Sequence, residues 1–278
     1  MPPDGSTPPP REGDLLAGYR LEATLGQGGM GVVFRAVREA DGEVVALKIL
    51  RDELASDEVS IRRFQREARM AAGLVHPHLV AVLESGSAGG RRYLVSRYVD
   101  GVALSHILDS GPLGGDSTVR LAAGVGSALD ALHRRGLLHR DVKPENILVD
   151  AGGRSHLADF GVALGEADTA LTSTGRVVGT VDYLAPELIR GEPASPASDL
   201  YALGCVVHAC LAGAPPFAGL DFAETCLAHL TAAPPDLRAA RGDLPAPLLW
   251  AADRALAKDP AERPATGAAY ARLLRAGL

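Results

Sequence analysis

Two short strings, HRDVKPEN at 139–146 and ADFG at 158–161, constrain this 278-residue chain more than anything else in it. They set two carboxylates, Asp141 and Asp159, 18 positions apart, with a cation, Lys143, and an amide, Asn146, beside the first. A positioned carboxylate can accept a proton from a hydroxyl. An amide oxygen and a second carboxylate are the hard donors that a small divalent cation takes. A single loop Asp would by default be a solvated surface group. Four such groups in fixed order call for a fold that brings them together.

Six further segments accompany them. LGQGGMGVVF at 25–34 spaces Gly26, Gly28 and Gly31 as G-x-G-x-x-G, and VVALKIL at 44–50 carries Lys48. RFQREARMAAGLVHP at 63–77 carries Glu67, followed downstream by GTVDYLAPE at 179–187 and SDLYALG at 198–204, and DPAERP closes the set at 259–264. The glycine loop lies between two strand-like segments, which disfavours a dinucleotide fingerprint, where a helix follows. It suits a hairpin whose backbone N–H groups cover an anion that side chains would hold off. Lys48 interrupts an apolar strand, and an unpaired buried ammonium is costly, so an anion should meet it.

In order and spacing these segments resemble the eukaryotic-like Ser/Thr protein kinases, and most closely the bacterial ones. The resemblance covers about 19–274. It implies a two-lobed α+β kinase fold, with a small lobe of five antiparallel strands plus one helix and a large, mainly helical lobe. It also implies transfer of the γ-phosphoryl group of ATP, with Mg²⁺ (Mn²⁺ as the alternative), to Ser/Thr hydroxyls of protein substrates. Asp141 would then take or orient the hydroxyl proton, Lys143 neutralise the γ-phosphate, and Asn146 and Asp159 hold the metal. Lys48 would meet the α- and β-phosphates with Glu67 as its helix partner; Glu67 is preferred to Glu58 because it is in phase with Phe64 and Ala71. The nucleotide would lie against Gly26, Gln27, Gly28, Gly29, Met30, Gly31 and Val33, beside Ala46 and Lys48, along Ser96, Arg97 and Val99, and over Leu148.

Regulation is implied as well. The segment between Asp159 and Glu187 corresponds to the activation loop. Thr172 and Thr174 are its candidate autophosphorylation sites, Arg140 is the candidate phosphothreonine receptor, and Thr180 belongs to the acceptor site. His139 is read as a packed supporting histidine and not as a base. Asp199 either caps a helix or, as in the family, anchors the catalytic loop, while Glu187 and Arg263 form an ion pair. YLVSRYVDG at 93–101 departs from the family pattern. Ser96 stands where Met is usual at the gatekeeper position and Arg97 where Glu is usual in the hinge. Two rival readings remain: an ATP-binding scaffold that signals without transfer, and a small-molecule phosphotransferase.

Composition narrows the partners. A net charge of −6 argues against a general nucleic-acid binder; the cluster Arg62, Arg63, Arg66 and Arg69 reads as one solvated helix face. Cys205, Cys210 and Cys226 have no metal-ligand spacing and read as core residues of a reducing, cytoplasmic compartment. The Pro-, Ala- and Arg-rich composition points to a high-GC bacterial source. The apolar run at 200–220 is interrupted by His208, Gly213, Pro215 and Pro216. Its helix of about 13 residues falls short of the roughly 20 that span a bilayer.

Residues 1–14 read as a disordered, Pro-rich lead-in and 15–278 as the kinase domain, the small lobe at about 15–98 and the large lobe at about 102–278. Strands are expected at 19–24, 31–37, 44–50, 78–85 and 91–98, and a helix at 57–74. Further helices are expected at 117–135, 185–189, 197–212, 221–232, 246–256 and 266–274, with a strand-loop-strand unit at 137–149. Pairing of small lobes for activation in trans is a further possibility carried by the resemblance.

Overall fold

Alternating burial builds the first sheet. In 44–50, Val45, Leu47 and Ile49 are buried while Val44, Ala46 and Lys48 are half-buried. Successive strand side chains point to opposite faces, so one face feeds a core and the other stays accessible. The computed structural model describes residues 10–29, 31–50, 70, 73–159 and 181–278. Its antiparallel sheet has six strands in the order β1-β2-β3-β4-β6-β5. They are β1 (Leu15–Leu16), β2 (Tyr19–Gly28), β3 (Gly31–Arg38), β4 (Val44–Leu50), β5 (Val82–Ala88) and β6 (Arg91–Arg97). Leu21, Phe34, Leu47, Ile49 and Val95 fill the core on one face.

Two details differ from the sequence expectation. A sixth strand, β1, is two residues long and too short to show any alternation. β5 starts at Val82 and not at 78, because the preceding residues belong elsewhere. The chain divides into one unit of Met1–Val75 with Val80–Val99 and another of His76–Leu79 with Asp100–Leu278. Leu79 forms a parallel bridge to Leu157, and the Leu157 N–H donates to the His78 carbonyl at 2.8 Å. The helix expected at 57–74, with Glu67 and the arginine cluster, lies outside the described residues except for helical Met70 and for Gly73 and Leu74, which are not helical: Gly73 turns the chain at φ 83.

The second unit is mainly helical. Its described helices are α1 (Leu104–Leu108), α2 (Gly115–His133), α3 (Pro186–Ile189), α4 (Pro196–Ala212), α5 (Phe222–Thr231), α6 (Leu237–Ala240), α7 (Ala246–Asp253) and α8 (Gly267–Ala276). A three-stranded sheet joins β7 (Gly101–Ala103), β8 (Ile147–Asp150) and β9 (Ser155–Leu157). α4 is buried almost all round, as an apolar helix at the centre of a core must be. Ser195 begins it with a capping box to Ser198, Pro196 takes its first turn, and Gly213 ends it at φ 88. Among the described residues no helix is long and apolar enough to cross a membrane. Burial pushes the Cys210 thiol up to about 12 and raises that of Cys205 as well, as fits inert core residues.

α2 and α8 touch backbone to backbone: a Cβ on Gly267 would collide with the Gly126 carbonyl. Asp130 of α2 accepts the first free amides of α8, Gly267 N–H at 2.7 Å and Ala268 N–H at 2.9 Å.

The expected Glu187–Arg263 pair is present and fully enclosed. The guanidinium meets the carboxylate through two bonds, of 2.7 and 2.8 Å, and Ser198 Oγ adds a third at 2.8 Å. Arg263 also donates to the carbonyls of Ala257 and Ala197 at 2.8 and 2.9 Å. Burial is the largest single influence on the Glu187 carboxyl and would raise it, but the Arg263 hydrogen bonds, a backbone amide, the Arg263 charge and the Ser198 hydroxyl together hold the group below its ordinary value. A depressed folded pKa gives stability that is full above the unfolded glutamate pKa and is lost as pH falls through the folded one. Arg263→Met is therefore expected to cost about 3–5 kcal/mol at pH 7. The cost should shrink below the carboxylate range, where Glu187 no longer carries a charge. Urea unfolding at both pH values checks this; a loss at pH 7 no larger than the loss in acid would contradict it.

Candidate active site

The catalytic segment 139–146 has no regular structure until a short 3-10 turn at Pro144–Asn146, so its shape is set by bonds from outside. Asp199, in the first turns of α4, accepts the amides of His139 (2.9 Å, Oδ2) and Arg140 (2.8 Å, Oδ1). Arg140 sits in the left-handed region at φ 64, a strained setting for a side-chain-bearing residue. His133, at the end of α2, adds its Nε2 to Asp199 Oδ2 at 2.8 Å. Asp199 thus acts as the loop anchor; the cap of α4 is Ser195.

His139 is completely buried. Its Nδ1 accepts the Asp141 N–H (3.3 Å), so its Nε2–H donates to the Ala158 carbonyl (2.9 Å). Burial lowers its pKa and keeps it neutral. Both nitrogens are occupied, as a supporting role requires. The Ala158 N–H donates to the Asn146 carbonyl at 2.8 Å, so the residue before Asp159 is tied to both ends of the catalytic segment. Asp159 has φ 53, a second left-handed backbone.

Asp141, Lys143 and Asn146 converge. Lys143 Nζ lies 2.8 Å from Asp141 Oδ1, with each side chain 17% exposed. Asn146 Nδ2 donates to Asp141 Oδ2 at 2.8 Å and to its carbonyl at 2.7 Å. With the amide nitrogen so committed, the donor atom Asn146 has to offer a metal is Oδ1. That oxygen, next to the residues leading to Asp159, fits a hard divalent cation.

The first unit presents a separate set. β-register pairs Val33 with Lys48, Lys48 with Leu94, and Ala46 with Ser96, which puts all five on the face opposite the core. Ser96 Oγ reaches the Ala46 carbonyl at 3.4 Å, and the Arg97 N–H donates to the Ala81 carbonyl at 2.9 Å. Gly26, Gly28 and Gly29 have open space where a Cβ would stand. Gly31 is different: at φ 153 a Cβ there would run into the Ile49 carbonyl. Gln27 is exposed in β2, Val99 is half-buried, and Leu148 is half-buried in β8, paired with Ala103 and His156. Met30, Glu67, Thr172, Thr174 and Thr180 lie outside the described residues. The sequence reading missed His133. Its signal is weak, a lone His before Arg-Arg-Gly at a helix end.

The family described as protein kinase domain matches residues 19–271. Serine/threonine-protein kinase PknE of Mycobacterium tuberculosis is 41% identical over 254 residues, which is 91% of this chain and 45% of that protein. Serine/threonine-protein kinase PknD of the same species is 40% identical over 256 residues, 91% of this chain and 39% of that protein. The crystal structure of the Mycobacterium tuberculosis PknI kinase domain is similar with a TM-score of 0.77 at 33% identity, covering 96% of this chain and 99% of that one. The chain spans less than half the length of the curated relatives it matches.

The glycines make a test. Gly31→Ala is expected to weaken Mg·ATP binding at least tenfold, because the loop must shift off β4, whereas Gly29→Ala should change it less than threefold. Titration with a fluorescent ATP analogue compares them; equal losses would contradict the steric assignment.

Proposed function

We infer the activity from membership: this chain belongs to the protein kinase domain family, and relatives that match 91% of it are named serine/threonine-protein kinases. The reaction proposed is transfer of the γ-phosphoryl group of ATP to a Ser or Thr hydroxyl of a protein, leaving ADP. The observation that carries it is the Asp141 carboxylate held between Lys143 Nζ and Asn146 Nδ2. That grip fixes the carboxylate, and each oxygen keeps a lone-pair site for an incoming hydroxyl. As the new O–P bond forms, Asp141 takes the hydroxyl proton. Lys143, an ammonium already at the site, moves its charge toward the transferring phosphoryl oxygens. Asn146 Oδ1 and the Asp159 carboxylate would hold Mg²⁺. When bound, the metal supplies charge neutralisation on the phosphate oxygens.

Lys48 would pair with the α- and β-phosphates, with Glu67 fixing it. Val33, Ala46 and Ser96 share its face and would flank the base, with Leu148, Arg97 and Val99 as further contacts. The Arg97 N–H is already given to Ala81, which leaves the Val99 N–H for the adenine edge. Thr172 and Thr174 are proposed as autophosphorylation sites read by Arg140, and Thr180 as part of the acceptor site. Small-lobe pairing in trans and a cytoplasmic location complete the proposal. Neither a transfer-silent scaffold nor a small-molecule phosphotransferase has support in the names of the relatives.

Incubation with Mg·ATP is expected to add one or more phosphates at Thr172 or Thr174, read by intact and peptide mass. Asp141→Asn should lower transfer at least about 100-fold with ATP affinity kept. Near-wild-type labelling by that variant would overturn the role of Asp141.

Ser96 makes a second expectation. A small side chain there leaves room behind the adenine position, so bulky purine analogues should inhibit the wild type at least tenfold better than Ser96→Met. Equal inhibition curves would remove Ser96 from the nucleotide site.

A further inference from the structure

The glycine loop is supported unevenly. At its far end Gly31 is pressed against β4 and cannot move without leaving the sheet. At its near end Gly26, Gly28 and Gly29 have no neighbour where side chains would reach. β2 enters the loop through two irregularities, with register shifts between Leu21 and Ala23 and between Thr24 and Gly26. Bulges interrupt a ladder and leave amides that need other acceptors. Thr24 lies between the two.

The acceptor comes from the segment before the sheet. Thr24 N–H donates to Glu12 Oε1 at 2.9 Å, across 12 residues of chain. The segment that carries Glu12 is itself held to β2. Gly13 N–H donates to the Leu21 carbonyl (2.7 Å), Leu21 N–H returns to the Asp14 carbonyl (2.9 Å), and Asp14 Oδ2 accepts the Arg11 N–H (2.8 Å). Gly13 takes φ 92, which lets the chain turn beside Leu21. Residues 11–14 therefore form a bonded strap along β2 and bring a carboxylate to the amide two residues before Gly26. They precede residues 19–271, which the family matches.

We propose that Glu12 is a positioning residue for the nucleotide: it fixes the near end of the glycine loop through Thr24, and so sets the affinity for ATP and not the rate of transfer. The inference rests on the kinase reading above. Glu12 touches neither substrate nor reacting atoms. It removes slack that binding would otherwise have to take up, so its loss should appear in the KM for ATP.

The test uses the full chain with Mg·ATP, comparing wild type, Glu12→Ala and Glu12→Gln. A Gln carbonyl accepts the same hydrogen bond, so Gln should rescue what Ala loses. Loss of one such bond is expected to raise the KM for ATP and the Kd of a fluorescent ATP analogue roughly three- to tenfold in Glu12→Ala. kcat should stay within twofold, and Glu12→Gln should lie within twofold of wild type throughout. Hydrogen exchange at the Thr24 amide should quicken in Ala and recover in Gln. Equal ATP affinity and equal Thr24 exchange in all three proteins would overturn the role of Glu12 while leaving the kinase reading standing; so would a fall in kcat at unchanged KM. A wild type that neither binds nor uses Mg·ATP would overturn both, and the two failures are told apart by that binding measurement.

Discussion

Two neighbouring backbone amides, of His139 and Arg140, point at the buried carboxylate of Asp199, and the catalytic segment takes its shape from that contact. A carboxylate enclosed without donors would cost several kcal/mol, so it must be met. Here it is met by the two amides and by His133. The same contact holds Arg140 in the left-handed region, which costs on the order of 1–3 kcal/mol when left to itself. Because Asp199 sits in the most enclosed helix of the second unit, the segment is referenced to the rigid core and not to solvent. His139 extends the frame by bonding onward to Ala158, and Ala158 to Asn146, so Asp141, Asn146 and Asp159 are positioned by a closed circuit of bonds.

The sequence showed its strands and its chemistry through different signals. β3 and β4 are rich in Val, Ile and Leu between turn residues, and their presence could be anticipated from that. Asp141, Lys143 and Asn146 are close in the chain, so a short string contains their identities and spacing. What the sequence hid was long-range. Asp199 reaches back 60 residues to its amide, and nothing near it distinguishes a helix cap from an anchor; Ser195, four residues earlier, had already taken the cap. β1 is too short to carry a period, and 78–79 read as the start of a strand although Leu79 bridges Leu157 of β9 instead. Glu12 was hidden in a stretch whose composition reads as unstructured, yet whose bonds are local and definite.

The glycine loop shows why a spacing pattern is not a single constraint. Gly31 is there because any side chain would strike the Ile49 carbonyl; Gly26, Gly28 and Gly29 have room to spare. Within the protein alone, only Gly31 is demanded by packing.

The molecule also uses one kind of chemistry in two ways. Glu187 with Arg263 and Asp141 with Lys143 are both carboxylate–cation pairs at hydrogen-bond distance. In the first, the guanidinium is 0% and the carboxylate 3% exposed, and every guanidinium nitrogen donates to a carbonyl or to the partner, while Ser198 adds its hydroxyl to the carboxylate. Parting them would strand two desolvated charges, so the pair is fixed. In the second, both groups are 17% exposed, and the cation is a flexible ammonium and not a planar fork. Water-accessible charges of that kind exchange partners at small cost. In the reaction proposed, Lys143 would leave Asp141 for a phosphate while Asn146 keeps the carboxylate aimed. Burial and the choice between Arg and Lys decide which pair holds the fold together and which is free to react.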